Sequence, residues 1–227
     1  MKWGRQNGVR RMLANIEAEA SYTRHMTGRN AFSARVMQAM QDVPRDQFVP
    51  DNMKAAAFDN GPLPIGHGQT ISQPYIVALM SDLLDLGPDD TVLEVGTGSG
   101  YQTAVLSLLC RDVYSMEVIP ELSDVAAKRL QSLGYGNVHL RSGNGYEGWP
   151  EHAPYDGIIV TAAAPYIPEA LVEQLRPGGR LVIPVGQPYM HQELMVVSKD
   201  GQAERHTNSV LAVAFVPMVD PGSRDED

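Results

Sequence analysis

The sequence predicts an α/β protein: a mostly parallel sheet with helices on both faces, preceded by a helical layer. Two features carry that expectation. From Thr91 onward, short apolar runs alternate with amphipathic segments, as they do where each parallel strand is buried on both faces and returns through a helix. Within that stretch, Val92-Leu93-Glu94-Val95 leads straight into Gly96, Gly98 and Gly100 and then into a helical pattern. This arrangement places a cofactor crevice at the carboxyl end of a strand.

In chain order, residues Gly8 to Met40 carry apolar positions at helical spacing, in Val9, Met12, Leu13 and Ile16 and again in Phe32, Val36, Met37 and Met40. Pro44 and Pro50 bracket a break. The Gly- and Pro-rich stretch Asp59 to Pro74 has too little periodicity for a regular element and reads as a loop. A helix is expected over Tyr75 to Leu86, with Ile76, Leu79, Met80, Leu83 and Leu84 on one face. Candidate core strands are Thr91 to Val95, Asp112 to Glu117, Val138 to Ser142, Tyr155 to Thr161 and Gly179 to Val185. Helices are expected between them at Tyr101 to Cys110, Pro120 to Leu133 and Pro168 to Leu175, and Gly178-Gly179 after Pro177 reads as the turn into the fifth strand. Glu193 to Ser198 and Val210 to Val216 complete seven strands, these last two expected to be antiparallel. The charged tail 220–227 has no apolar anchor and is expected to be disordered.

A chain of 227 residues with 43% hydrophobic content can bury one good core, so one domain is expected over 1–227. Its 18 Lys and Arg against 27 Asp and Glu give a formal charge of -9, which opposes a broad footprint on nucleic acid. No apolar run approaches a membrane span, and Met1 to Arg11 lacks the apolar stretch of a signal peptide. A cytoplasmic chain with no membrane partner is expected. Cys110 is the only cysteine and reads as a small buried hydrophobe in a helix. The histidines, His25, His67, His139, His152, His191 and His206, form no close helical pair, and no metal is expected.

Glycine at 96, 98 and 100 lets the backbone turn tightly and lets a ligand approach without meeting a Cβ. The spacing is GxGxG, not the dinucleotide GxGxxG. Glu94, two positions before the first glycine, would repel a pyrophosphate but favour the sulfonium and amino group of S-adenosylmethionine. Glu117 ends the next strand, where a carboxylate can accept hydrogen bonds from both ribose hydroxyls. The candidate cofactor set is Glu94, Gly96, Thr97, Gly98, Ser99, Gly100 and Glu117. It is joined by Asn144 and Gly145 after the third strand, placed to meet the adenine edge; an ordinary Asn-Gly turn is the competing reading. Thr161 to Ala164 follow the fourth strand, where small side chains either leave room for the methionine end and the substrate or simply pack closely.

The segment Pro62-Leu63-Pro64-Ile65-Gly66-His67-Gly68-Gln69-Thr70-Ile71-Ser72-Gln73-Pro74, with Leu93 to Tyr101 and Val160 to Ala164, closely resembles the protein-L-isoaspartate O-methyltransferases. Val43-Pro44-Arg45, Phe48-Val49-Pro50, Pro184-Val185-Gly186 and Phe215-Val216-Pro217 fit the same pattern in the same order. The Pro62 to Pro74 block is the specific part, since many methyltransferase families share the glycine motif. The resemblance implies the Rossmann-like S-adenosylmethionine-dependent methyltransferase fold, with a seven-stranded mostly parallel sheet. It implies methyl transfer to the α-carboxylate of an L-isoaspartyl residue, with S-adenosylhomocysteine as product; the ester then closes to a succinimide, whose opening restores some aspartate.

The same resemblance implies Ser72 as the active-site residue, with Gln69 and Thr70 at neighbouring positions of its loop; Ile71, His67 and Ala163 are further candidates at the substrate and Thr161 at the cofactor. Isoaspartyl-containing peptides and proteins are the expected partners, and the chain is expected to act as a monomer. Residues 1–88 would hold the N-terminal helices and substrate loop, 89–190 the cofactor core and 191–219 the C-terminal strands. A carboxylate is already ionised near neutral pH, so the attack needs no strong base. Ser72 reads as a donor that aims the substrate carboxylate, since its surroundings lack the GxSxG elbow of a hydrolase. A helix cap near Pro74 is the competing role for Ser72, and a backbone contact is the competing role for His67.

Two features depart from the family pattern. Gly143-Asn144-Gly145 stands where Gly-Asp-Gly is expected, keeping an acceptor for the adenine amino group without the charge. The stretch Tyr22 to Arg29 does not fit the core pattern and reads either as a surface turn between helices or as a segment that reshapes the peptide groove. Two other functions stay open: a related methyltransferase acting on another peptide or small carboxylate, and a non-catalytic module binding the cofactor or damaged chains. Gly96, Gly98, Gly100 and Ser72 weigh against the second.

Overall fold

The computed structural model describes residues 2–188 and 190–220, so the tail expected to be disordered lies, from residue 221, outside the described residues. Helix α1 (Lys2–Thr27) buries Met12, Ile16 and Ala20 at four-residue spacing, which puts them on one stripe of the helix. It runs on through most of the stretch that admitted a surface-turn reading. Thr23 is buried, and its hydroxyl lies 2.6 Å from the Tyr75 hydroxyl. The helix stops where Gly28 takes φ +66 and its amide reaches back to the Arg24 carbonyl at 3.0 Å, a left-handed end that glycine adopts without a Cβ penalty. Only Gly28 and Arg29 are left to the turn. Helix α2 (Ala34–Asp42) starts at Ser33, whose hydroxyl accepts the Val36 amide at 3.3 Å.

The segment read as a loop contains a hairpin, β1 (Leu63–Gly66) against β2 (Gln69–Ile71), antiparallel and bulged between Pro64 and Gly66. His67 and Gly68 make its turn with φ of 52° and 70°, the twist that a two-residue hairpin needs. Strands this short, carrying a proline and a glycine and pairing only with each other, leave no alternation to read. Helix α3 (Pro74–Leu84) follows at once, with Pro74 in its first turn and Asp85 left-handed at its end.

The sheet is built around β3 (Thr91–Val95), buried at every position. Val92 joins one hydrophobic cluster while Leu93 and Val95 join another, because successive strand side chains point to opposite faces. After helix α4 (Tyr101–Ser107) come β4 (Asp112–Glu117), helix α5 (Pro120–Ser132) and β5 (Val138–Ser142). The chain then crosses to the other side of β3 with β6 (Tyr155–Val160), helix α6 (Glu169–Glu173) and β7 (Leu175–Gly186), before β8 (Gln192–Lys199) and β9 (Arg205–Val213). The order is β5-β4-β3-β6-β7-β8-β9, parallel from β5 to β7 and antiparallel beyond. The direction of winding reverses beside β3, and ligands of open α/β sheets bind at that point, outside the carboxyl ends of the strands.

Several boundaries differ from expectation: α3 ends at Leu84, and α6 ends at Glu173, with Leu175, expected in that helix, starting β7. Gly178-Gly179 is no turn before a strand but lies inside β7, where the pairing with β6 shifts register. Strand β9 covers Arg205–Val213, earlier than the apolar run at Val210 to Val216, because an edge strand can be polar on exposed residues such as Thr207 and Ser209. Gln192, buried at the start of β8, clamps Phe215 through both amide atoms, at 2.6 and 3.1 Å, and turns the chain off the sheet. Helix α4 ends at Ser107, short of Cys110.

Thr23→Val leaves the buried Tyr75 hydroxyl unpaired and should destabilise the fold by about 1–3 kcal/mol, read as a lower urea midpoint. An unchanged midpoint would mean that this contact does not dock α1 on α3.

Candidate active site

At the carboxyl end of β3 the chain turns through Gly96 (φ +100), Gly98 (φ +52) and Gly100 (φ +87). A Cβ on Gly96 would run into the Thr161 hydroxyl, which donates to the Gly96 carbonyl at 2.5 Å and so ties the end of β6 to this turn. The Gly96 and Thr97 amides both donate to the Met116 carbonyl, at 2.8 and 3.1 Å. Glu117 holds the other side: one carboxylate oxygen accepts the Gly98 amide at 2.8 Å and the second accepts the Ile119 amide at 3.0 Å. Each oxygen keeps a lone pair, so Glu117 can still accept from a ligand hydroxyl.

Three spaces meet at this turn. A cleft of about 570 Å³ is lined by Gly96, Gly98, Met116, Glu117, Gly145 and Met218, among others. Its floor needs glycine at 145, where a Cβ would collide with Val95 and come within 2.8 Å of Met218. A smaller cavity of about 310 Å³ lies between the glycine turn and Ile71 and Ser72. An outer groove of about 1290 Å³ runs past Ser72 to Tyr22, Met26, Leu211 and Phe215. Thr70 and Thr161 line all three, so the cleft and the outer groove share one junction.

The structure sorts the residues singled out in the sequence. Gly96, Gly98, Glu117, Gly145 and Thr161 line the cleft, and Thr97 and Ser99 line the smaller cavity. Gly100 supports the turn from behind, packed against Leu130. Gln69 lines the cleft, Thr70 the junction, and Ile71 and Ser72 the smaller cavity. Ser72 is not the cap of α3: Gln73 holds that position, without a side-chain capping bond.

Four side chains stand elsewhere. Asn144 makes a local turn, its oxygen accepting the Tyr146 amide at 3.0 Å and its amide nitrogen facing Glu147 at 3.3 Å, while its neighbours Gly143 and Gly145 line the cleft. His67 is exposed at the hairpin tip and lines none of the three spaces. Ala163 is buried and straps the C-terminal segment, its amide donating to Val216 and its carbonyl accepting from Met218, both at 2.8 Å. Ala162 lines the cleft in its place.

The fourth, Glu94, departs furthest from its sequence reading. It is 0% exposed and lies behind the turn, where the Ser115 and Thr103 hydroxyls donate to one of its oxygens at 2.6 and 2.5 Å. The Thr97 hydroxyl lies 2.6 Å from that of Ser115, so a polar chain connects Glu94 to the glycine turn. Burial pushes the Glu94 carboxyl up to about 8, against the pull of the two hydroxyls. A largely neutral acid beneath the turn braces it and supplies little field to a cation in the cleft. Sequence reasoning also missed the roof, Val216 to Val219, and the wall at Met116 and Ile119. Phe215-Val216-Pro217 was the only local signal for the roof.

An open, mostly parallel sheet whose glycine turn and strand-end carboxylate face one cleft at the switch point defines a cofactor-dependent α/β enzyme of the Rossmann-like methyltransferase class. The model of the protein-L-isoaspartate (D-aspartate) O-methyltransferase family matches residues 22–223. The chain is 56% identical to a protein-L-isoaspartate O-methyltransferase 2 of Syntrophobacter fumaroxidans over 92% of its length and 84% of the relative's. It is also 56% identical to one of Nitrosococcus oceani, over 92% and 95%. A solved protein-L-isoaspartate O-methyltransferase superposes with TM-score 0.81 at 26% identity, covering 93% of this chain and 66% of that one. A Plasmodium falciparum structure described as a putative member, in complex with S-adenosyl-L-homocysteine, superposes with TM-score 0.73 at 24% identity, covering 92% and 96%. This chain belongs to the protein-L-isoaspartate (D-aspartate) O-methyltransferase family.

Because Glu94 keeps its proton in the fold up to about pH 8 and loses it far lower when unfolded, the native state binds more protons in between. Stability should therefore fall as pH rises from about 5 to about 8. Glu94→Gln, which keeps the acceptor but cannot ionise, should flatten that slope in thermal melts; parallel slopes for the two proteins would contradict the assignment.

Proposed function

We propose that this chain transfers a methyl group from S-adenosylmethionine to the α-carboxylate of L-isoaspartyl residues in damaged proteins, the step that starts their repair. One observation carries the reading: the cleft beside the glycine turn continues, past Thr70, Thr161 and Ser72, into an outer groove on the protein surface. The cleft lies at the carboxyl ends of the parallel strands, beside the switch point where open α/β sheets bind their ligands. Gly96 and Gly145 let the chain pack closely against Thr161 and Val95 at the cleft wall, and Glu117, with acceptor capacity for ribose hydroxyls, fits an adenosyl group. When bound, S-adenosylmethionine supplies a methyl group on a positively charged sulfur, which leaves as a neutral thioether.

The chain's own residues have little acid–base work to do. The acceptor arrives as a carboxylate, so no proton must be removed. Ser72 and Thr70 orient it, and Thr161 fixes the turn against which the donor lies. Alignment of two reactants in a restricted space supplies the rate. Tyr22, 79% exposed, and Met26, 54% exposed, line the outer groove and favour a polypeptide acceptor over a small free acid. As part of the same reading the chain works as a cytoplasmic monomer on protein acceptors, in line with its charge of -9 and not with nucleic acid. Among the described residues no helix is long and apolar enough to cross a membrane.

In a labelled-methyl assay, an isoaspartyl peptide should accept methyl groups where its aspartyl twin does not. Ser72→Ala should lower turnover at least roughly tenfold while cofactor affinity holds. An unaltered rate would remove Ser72 from the mechanism, and equal labelling of both peptides would remove the isoaspartyl acceptor.

A further inference from the structure

Arg45 is fully buried, and the Val43-Pro44-Arg45 motif that carries it has no part in the chemistry above. A guanidinium taken out of water is costly unless its donors are used, so its contacts indicate its role. Its Nε donates to the Ala57 carbonyl at 2.8 Å, and its Nη2 donates to the Ser72 carbonyl at 2.8 Å. Its Cζ lies over the Tyr101 ring, 4.7 Å from the centroid, and Phe48 meets the same ring edge-on at 5.6 Å. Nη1 has no hydrogen-bond partner among the described residues.

These contacts join three segments that are distant in sequence. Ala57 precedes the hairpin, Ser72 follows it, and Tyr101 opens α4 directly after Gly100. The hairpin therefore enters and leaves through carbonyls held by one side chain, and that side chain rests on the helix that continues the glycine turn. An apolar residue of the same volume would fill the space at a smaller desolvation cost but could not fix either carbonyl. Lysine could not do so either, because a single ammonium lacks the planar fork that serves two acceptors and stacks on a ring.

We propose that Arg45 is a positioning residue, holding the Ser72 backbone in register with the glycine turn so that the acceptor carboxylate meets the methyl donor in line. The proposal rests on the reading of Ser72 as the residue that orients the acceptor. Arg45 itself touches neither the cleft nor the groove. Its effect should therefore appear in turnover and pass through Ser72.

The test uses the full chain with S-adenosylmethionine and an isoaspartyl peptide. Arg45→Lys should lower kcat roughly 10- to 100-fold, the scale of a small misalignment, with cofactor affinity from calorimetry unchanged. Added to Ser72→Ala, Arg45→Lys should cost little more, since two residues acting through one group are not additive. Arg45→Gln, neutral and able to reach one carbonyl, should show the same split if the lysine variant does not fold. A normal kcat in a folded Arg45 variant, or a full multiplicative loss on top of Ser72→Ala, would overturn the proposal. If Ser72→Ala alone leaves the rate intact, the reading of Ser72 fails first and takes the proposal with it.

Discussion

The Glu117 carboxylate, buried at the end of β4, accepts one amide from the glycine turn and one from the start of the following connection. A carboxylate in that position is tolerable only because both oxygens are met by oriented donors, and such charge-assisted bonds are among the stronger ones a protein makes. With Gly98 tied to β4 and Gly96 tied through Thr161 to β6, the turn after β3 is fixed from both neighbouring strands. The shape of the cleft follows from that. Its walls are strand ends in parallel register, Val95 beside Met116 and Val160, so they can spread only as far as the sheet allows.

The two clusters of charge and polarity around the turn divide the work. Glu117 sits on the open side, with capacity left for a ligand. Glu94 sits behind it, protonated over the neutral range, and braces the turn through Ser115 and Thr97. Two buried acids at adjacent strand ends thus have different roles, set by their partners: two backbone amides at the cleft for Glu117, two hydroxyls on one oxygen behind the turn for Glu94. Farther out, the hairpin and the C-terminal segment both line the cleft; Arg45 holds the chain on either side of the hairpin, while Gln192 and the Ala163 backbone hold the C-terminal segment.

Much of this was legible in the sequence because the core elements obey simple periods. Strands β3, β4 and β6 show as apolar runs since both faces are buried, and the glycines show because their conformations need them. The hairpin was not legible: its pairing is local, its strands are short and its turn uses His67-Gly68, which lacks the usual Asn-Gly or Asp-Gly signature. Glu94 was legible as an acid near the turn but not as a buried one, because a strand's period of two says which face a residue takes and not what lies behind it. Asn144 and Ala163 fell in the right connections, yet their neighbours Gly145 and Ala162 line the space. A loop residue's facing depends on φ and ψ choices that the sequence does not encode as a period.

The central claim is that the cleft beside the glycine turn holds the methyl donor and presents it to an acceptor at the Thr70, Thr161 and Ser72 junction. A crystal structure with S-adenosylhomocysteine and an isoaspartyl peptide tests it most directly. The account predicts the nucleoside between the glycine turn and Gly145, its ribose on Glu117, and the peptide along the outer groove with its carboxylate at Ser72. A nucleoside bound away from Glu117, or a peptide lying away from Ser72, would contradict it.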